Sequence, residues 1–283
     1  MKREILIAEH AGACYGVNRA LEIAQDNAVS AEVPLYTLGP LIHNPQVVSQ
    51  LEAKGIRAVE TPEEADPPAT LIIRSHGVPP EVIERARGCG LDIVDATCPY
   101  VSKAQHAAAK LAGEGRLVIV VGEKGHPEVE GIVGHAGDNA LIVASAAELP
   151  ATLPEKVGVV VQTTQAHATF DAVVADLKAR VRDLSVADTI CLATQERQKA
   201  AAALADTVDA MVVVGGRNSG NTRRLHEICR AHCGRAFHVE TADEVQPSWF
   251  EDCRRIGVTA GASTPAAQID EVVARIRACG ERV

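Results

Sequence analysis

Aromatic residues are scarce in this 283-residue chain: three Phe, three Tyr and one Trp, 2% of the sequence. Positive charge is in deficit too, with 28 Lys and Arg against 37 Asp and Glu and a formal net charge of −9. A single-stranded nucleic-acid binder needs stacking rings along a basic groove, so nucleic acid is not an expected partner. No apolar run reaches the roughly 20 residues that span a bilayer, so a membrane is not expected either. The opening MKREILIAEH has only four consecutive apolar residues before Glu9 and His10. That is the length of a strand rather than of a signal-peptide core, and a cytoplasmic location is expected.

Clustered cysteine pairs are missing as well. Eight cysteines lie scattered at 14, 89, 98, 191, 229, 233, 253 and 279, which does not read as a disulfide framework in a reducing compartment. The stretch VVVGGRNSGN (212–221) has the look of a glycine-rich nucleotide loop but lacks both GxGxxG and GxxxxGK[ST]. HEICRAHC places His226, Cys229 and Cys233 at helical spacing that suits zinc, yet Cys229 equally continues the apolar stripe of Leu225 and Ile228. Low-complexity tails and long linkers are absent; TPEEADPPAT (61–70) is the most loop-like stretch.

What is present is an ordinary globular balance, 47% hydrophobic and 23% charged. Short β-branched runs recur: ILIA (5–8), TLIIRS (70–75), LDIVDA (91–96), LVIVVG (117–122), LIVAS (141–145), VGVVVQ (157–162), MVVVGG (211–216) and IGVTAG (256–261). Continuous apolar residues predict strands buried on both faces, hence parallel sheets covered by helices. Amphipathic patterns such as PQVVSQLEAKGI, PEVIERARGCGL, FDAVVADLKARV and TRRLHEICRAHC alternate with them, which defines an α/β fold.

One internal similarity organises the chain. LDIVDATCPYVSKAQHAAAKLAG (91–113) aligns with LSVADTICLATQERQKAAAALAD (184–206): strand, Asp three residues before Cys, then an alanine-rich helix. EILIAEHAGACYGVNRALEIAQ (4–25) repeats the scheme more loosely, with Cys14 at the joint and Arg19 where Lys103 stands. The three cysteines are 84 and 93 residues apart, the length of a small α/β module. Three modules are therefore expected: 14–97, 98–187, and 188–283 together with the N-terminal strand 1–13. Taken singly, each cysteine reads as a small buried hydrophobe. Taken together, Cys14, Cys98 and Cys191 form one constellation if the modules close round a pseudo-threefold centre. Three converging thiolates suit a soft metal or an iron–sulfur cluster and leave one iron open. Cys89, Cys253 and Cys279 lack this context.

A second pattern occupies other strand ends, each opening into a turn and then a helix. These are GPLIHNPQ with His43, RSHGVPPE with His76, KGHPEVEG with His126 and Glu128, VQTTQA with Thr163 and Thr164, GGRNSGNTRR with Ser219 and Asn221, and AGASTPAAQ with Ser263 and Thr264. Helix N-termini offer free N–H groups and a positive dipole end to phosphate, and ligands of open α/β sheets bind at the carboxyl ends of strands. Individually Ser219, Asn221 and Ser263 also read as helix caps, Glu128 as a complement to the helix dipole, and His43-Asn-Pro as turn chemistry.

The ordered set GACYGVNRA, GPLIHNP, SHGV, DATCP, GHPEVEG, QTT, DTICLAT, NSGNTRRL and GVTAGAS resembles the LytB (IspH) family of 4-hydroxy-3-methylbut-2-enyl diphosphate reductases over essentially the whole chain. The resemblance implies a three-module α/β trefoil around one [4Fe-4S] cluster, held by Cys14, Cys98 and Cys191 with one open iron. It implies the last step of the non-mevalonate isoprenoid pathway, in which two electrons from a donor such as ferredoxin or flavodoxin remove an allylic hydroxyl to give isopentenyl and dimethylallyl diphosphate. It assigns His43, His76, Ser219, Asn221 and Ser263 to the diphosphate, His126 to its edge, and Glu128 to proton relay, helped by Thr164; Thr163 shares the QTT substrate turn. Four positions depart from the family pattern: Ala13 where Phe is usual, Leu192 for Tyr, Glu196 for Asn, and Gly220 where a second serine is frequent. Two further readings stay open on the cysteines alone: a quinolinate-synthase-like cluster enzyme, or a cluster redox sensor that binds no substrate.

Overall fold

Strands and helices alternate along the chain as the apolar runs and amphipathic stretches dictate. A computed structural model describes residues 3–279. It begins with β1 (Glu4–Ile7), α1 (Tyr15–Ser30), β2 (Leu35–Leu38), α2 (Pro45–Ala53), β3 (Ile56–Val59), β4 (Thr70–Ile73), α3 (Pro80–Gly88) and β5 (Asp92–Asp95). It continues with α4 (Pro99–Gly113), β6 (Leu117–Val121), α5 (Pro127–Ala136), β7 (Ala140–Val143), β8 (Lys156–Val161), α6 (His167–Arg180) and β9 (Asp183–Ala187). The last elements are α7 (Leu192–Ala205), β10 (Ala210–Val214), α8 (Gly220–His232), β11 (Ala236–Val239), β12 (Arg255–Ala260) and α9 (Ala266–Ala278).

The strands form three parallel four-stranded sheets, ordered β3-β2-β4-β5, β7-β6-β8-β9 and β11-β10-β12-β1. The order is the same each time, except that the N-terminal strand β1 fills the fourth place of the third sheet, where Glu4 pairs with Arg255. Two compact units result. One holds the third sheet and comprises the chain up to Tyr15, His43–Pro45 and the chain from Leu192 onward; the other, Gly16–Ile42 and Gln46–Cys191, holds the first two sheets.

The central strands behave as their continuous apolar sequences require. Leu71, Ile72 and Ile73 of β4, Val118 to Val121 of β6 and Met211 to Val214 of β10 are essentially inaccessible, as expected of parallel strands covered on both faces. Three short strands lie outside both the apolar runs and the aligned repeat. β2 (LYTL) is wholly buried but interrupted by Tyr36 and Thr37; β3 (IRAV) and β11 (AFHV) are edge strands that mix polar and apolar residues.

The alanine-rich helices explain where the three cysteines fall. α1 packs Ala20 and Ala24 against Leu35, Ile56 and Ile72 of the first sheet. α4 packs Ala104, Ala108 and Leu111 against Val118, Val120 and Val160 of the second. α7 packs Ala201 and Ala205 against Met211 and Val213 of the third. Small side chains let each helix lie close to its sheet. Each cysteine therefore marks a covalent crossing: the edge strand of one sheet ends, the cysteine follows, and the next helix leaves to cover the following sheet.

Candidate functional site

Each of the three cysteines is half-buried and fastened by its own backbone. Cys14 N–H donates to the Ala262 carbonyl at 3.1 Å, Cys98 N–H to Ser75 at 2.9 Å, and Cys191 N–H to Thr163 at 3.1 Å. Every acceptor lies two residues beyond the end of the parallel strand beside the cysteine's own edge strand. The repeat seen in sequence is thus a repeat in hydrogen bonding. Gly16 gives the Cys98 thiol its seat: a Cβ there would fall 2.4 Å from Cys98 Sγ. Each of the three is a soft thiol held by main chain, the donor chemistry that iron–sulfur centres use.

The unit that carries Cys98 and Cys191 also carries His76, His126, Glu128, Thr163 and Thr164. Pro127 starts α5 and His126 caps it: the His126 ring accepts from Glu128 N–H through Nδ1 at 3.1 Å. The rings of His76 and His126 meet edge to face, 5.7 Å apart. Glu128 is 2% exposed. Its two oxygens accept from Thr163, one from the backbone N–H at 2.6 Å and one from the hydroxyl at 3.1 Å. Burial pushes the Glu128 carboxyl up to about 7, with the Glu123 charge adding to it, against the lowering effect of the two Thr163 hydrogen bonds. Thr163 therefore links the two residues, since its carbonyl holds Cys191 while its N–H and hydroxyl hold Glu128. The neighbouring Thr164 hydroxyl accepts instead from Gln162 at 3.1 Å.

The other unit carries Cys14, His43, Ser219, Asn221 and Ser263. Ser219 caps α8, its hydroxyl accepting from Thr222 N–H at 3.3 Å. The Ser263 hydroxyl donates to the His43 carbonyl at 3.0 Å, and the Asn44 amide donates to the Ser263 carbonyl at 2.8 Å and to Gln268 at 2.9 Å. These bonds fix His43 beside the turn that follows β12. Asn221 is 3% exposed, yet neither atom of its amide finds a hydrogen-bond partner. A buried amide left unpaired is costly. In the first turn of a thirteen-residue helix, it leaves a donor and an acceptor that a polar ligand could satisfy.

Several contributors sit inside the quoted motifs without a role having been read for them there. Gly16, the Thr163 carbonyl, Asn44 and Gln268 act through space or through main chain. Arg19 was visible only as the residue aligned with Lys103, and Arg197 not at all; they reach the carbonyls of Thr97, before Cys98, and Gly12, before Cys14. The zinc pattern of α8 resolves as packing. Cys229 is fully buried, and desolvation pushes its thiol up to about 12, while His226 Nε2 pairs with the Ala236 carbonyl at 3.2 Å. Among the departures from the family pattern, Leu192 is 57% exposed beside Cys191.

Comparison with known proteins fits this geometry. The family model described as LytB protein matches residues 5–277. The 4-hydroxy-3-methylbut-2-enyl diphosphate reductase of Aquifex aeolicus is 44% identical, over 97% of this chain and 96% of its own length. That of Geobacter sulfurreducens is 48% identical over 97% of each. Among solved structures, one described as (E)-4-hydroxy-3-methyl-but-2-enyl diphosphate reductase, the terminal enzyme of the non-mevalonate pathway, superposes with a TM-score of 0.72 at 44% identity, covering 98% of this chain and 99% of that one. The E-1-hydroxy-2-methyl-but-2-enyl-4-diphosphate reductase of Plasmodium falciparum reaches 0.92 at 27% identity, covering 97% and 88%. The chain belongs to the LytB family.

Proposed function

We propose that this chain is a 4-hydroxy-3-methylbut-2-enyl diphosphate reductase, the oxidoreductase that ends the non-mevalonate route to isopentenyl and dimethylallyl diphosphate. Family membership over nearly the whole chain supports the activity. The observation that carries the site assignment is Glu128, a buried carboxyl whose acidity is brought near neutral beside the threonine that anchors Cys191. Removing an allylic hydroxyl takes two electrons and two protons and releases one water. Hydroxide is a poor leaving group, so a carboxyl that still holds a proton near pH 7 meets the central chemical need.

Cys14, Cys98 and Cys191 would hold one [4Fe-4S] cluster with an open iron, which when bound supplies the two electrons singly and Lewis acidity. Every other task falls to side chains. Asn221, Ser219 and the N-terminus of α8, with His43 and Ser263, take the diphosphate by hydrogen bonds rather than by a lysine cluster. His76 joins them on the diphosphate, and His126 donates at its edge. Because His126 Nδ1 accepts from Glu128 N–H, the neutral ring carries its proton on Nε2 and offers that proton outward. Glu128 delivers a proton to the departing oxygen, and the Thr163 hydroxyl keeps the carboxyl oriented. Thr164 stands in the same turn as a further hydroxyl toward substrate. No helix of the described residues is long and apolar enough to cross a membrane; we place the enzyme in the cytoplasm, reduced by a ferredoxin or flavodoxin.

The test is anaerobic reconstitution with iron and sulfide, then turnover of the hydroxybutenyl diphosphate with dithionite-reduced viologen. Protein that binds iron and sulfide but leaves the substrate unconsumed sinks the assignment.

A further inference from the structure

Two arginines repeat one device. Arg19 lies on α1, and its Nη1 donates at 3.1 Å to the carbonyl of Thr97, the residue before Cys98. Arg197 lies on α7 and is 3% exposed. Its Nη2 donates at 2.8 Å to the carbonyl of Gly12, two residues before Cys14, and its Nη1 donates at 3.1 Å to Ala193, two residues after Cys191. Each arginine sits in the first turns of a helix that follows one of the three cysteines, and each holds the peptide just ahead of another. The position on α4 aligned with Arg19 is Lys103, which is exposed.

We propose that Arg19 and Arg197 are positioning residues for the cluster: each clamps the peptide that leads into a ligand cysteine and places a permanent positive charge beside a thiolate-rich centre. This rests on reading Cys14, Cys98 and Cys191 as the ligands. Guanidinium stays charged at any working pH. A centre held by three thiolates becomes more negative when it accepts an electron, so a nearby cation favours the reduced form, and net local charge is one of the terms that set such potentials. Chain geometry keeps Arg197 within about 10 Å of Cys14. At an effective dielectric constant near 20, a unit charge at that distance moves an equilibrium roughly tenfold. Arg19 is half-buried, and solvent screens it more strongly, so its effect is smaller.

A pure strut and a charged strut are separable by substitution. Glutamine keeps an N–H donor for a carbonyl and loses the charge; lysine keeps the charge and a donor. The full chain and its Arg19→Gln, Arg197→Gln and Arg197→Lys variants are reconstituted anaerobically, assayed for iron per chain, and titrated for one-electron reduction by paramagnetic resonance. Arg197→Gln is expected to retain iron while its reduced-to-oxidised ratio at fixed potential falls about tenfold, equivalent to about 59 mV for one electron. Arg19→Gln shifts in the same direction by less, and Arg197→Lys recovers most of the parental value. Should Arg197→Gln fail to retain iron, a parental titration of Arg197→Lys still supports the charge. Parental behaviour in Arg197→Gln overturns the proposal and leaves the cluster reading intact. So does equal loss in Arg197→Gln and Arg197→Lys. A parent chain that takes up no iron overturns both.

Discussion

Glu128 shows how far one residue's surroundings can set its role. Its folded acidity of about 7 stands above the ordinary value of 4.5, so between those values the folded protein holds a proton that the unfolded chain releases. The Glu128 contribution to stability is therefore largest below pH 4.5 and is lost as pH rises through 7. Glu128→Gln is expected to flatten that decline, with an upper bound of about 3 kcal/mol gained at pH 8, measured by denaturant unfolding across pH. The same variant keeps iron and diphosphate binding and loses nearly all turnover; full activity would remove Glu128 from proton transfer. Gly16 sets two effects against each other. Alanine gains about 1 kcal/mol of helix propensity, but its Cβ would stand 2.4 Å from Cys98 Sγ, and such overpacking costs about 1–3 kcal/mol. The clash wins, and Gly16→Ala is expected to lower iron per chain after reconstitution. Cys89, outside the repeated context, is expected to be replaceable by serine with iron retained, whereas Cys98→Ser loses it. The cysteines, histidines and Glu128 were legible because each occupies a strand end in a repeated frame. Gly16 and Arg197 were not, because their work is defined by what lies opposite them in space.

At the level of elements, proline marks where several helices begin. Pro45, Pro80, Pro99 and Pro127 each open a helix, where the missing N–H costs nothing and the fixed φ is already helical. Strands read well when they were continuous runs of Val, Ile and Leu. β2, β3 and β11 were missed because four residues with a Tyr, Arg or His among them carry no periodicity to detect. Helix α2 ends at Ala53, two residues short of β3, because Gly55 adopts φ +87° and turns the chain; the helical pattern through Ile56 ran on into a strand. The N-terminus of α8 illustrates a site that weakens its own scaffold. Asn221 is buried with an unpaired amide, so Asn221→Ala is expected to raise the KM for the diphosphate at least about tenfold, in line with the loss of a buried ligand hydrogen bond, while the ligand-free melting temperature stays level or rises.

For the molecule as a whole, composition bounded the class and the repeat supplied the architecture, whereas the choice among cluster enzymes came from the histidine, threonine and serine turns rather than from the cysteines. The net charge of −9 carries its own prediction. Reduction by a cationic viologen is expected to slow as ionic strength rises, and reduction by an acidic protein carrier to quicken, since attraction and repulsion are both screened beyond a Debye length of about 10 Å at 0.1 M salt; stopped-flow rates at several salt concentrations check both signs. The pairing of β1 with β12 has a consequence in time. Glu4 finds Arg255, and Cys14 finds its carbonyl partner Ala262, only after nearly all of the chain exists. At 5–20 residues per second, the first strand waits roughly ten to fifty seconds on the ribosome for its neighbour. The seats of Cys98 and Cys191 are complete well before that, so a growing chain has two thiols seated while the third still waits for Ala262 to be made, and on the proposed reading a three-cysteine cluster cannot be loaded before then.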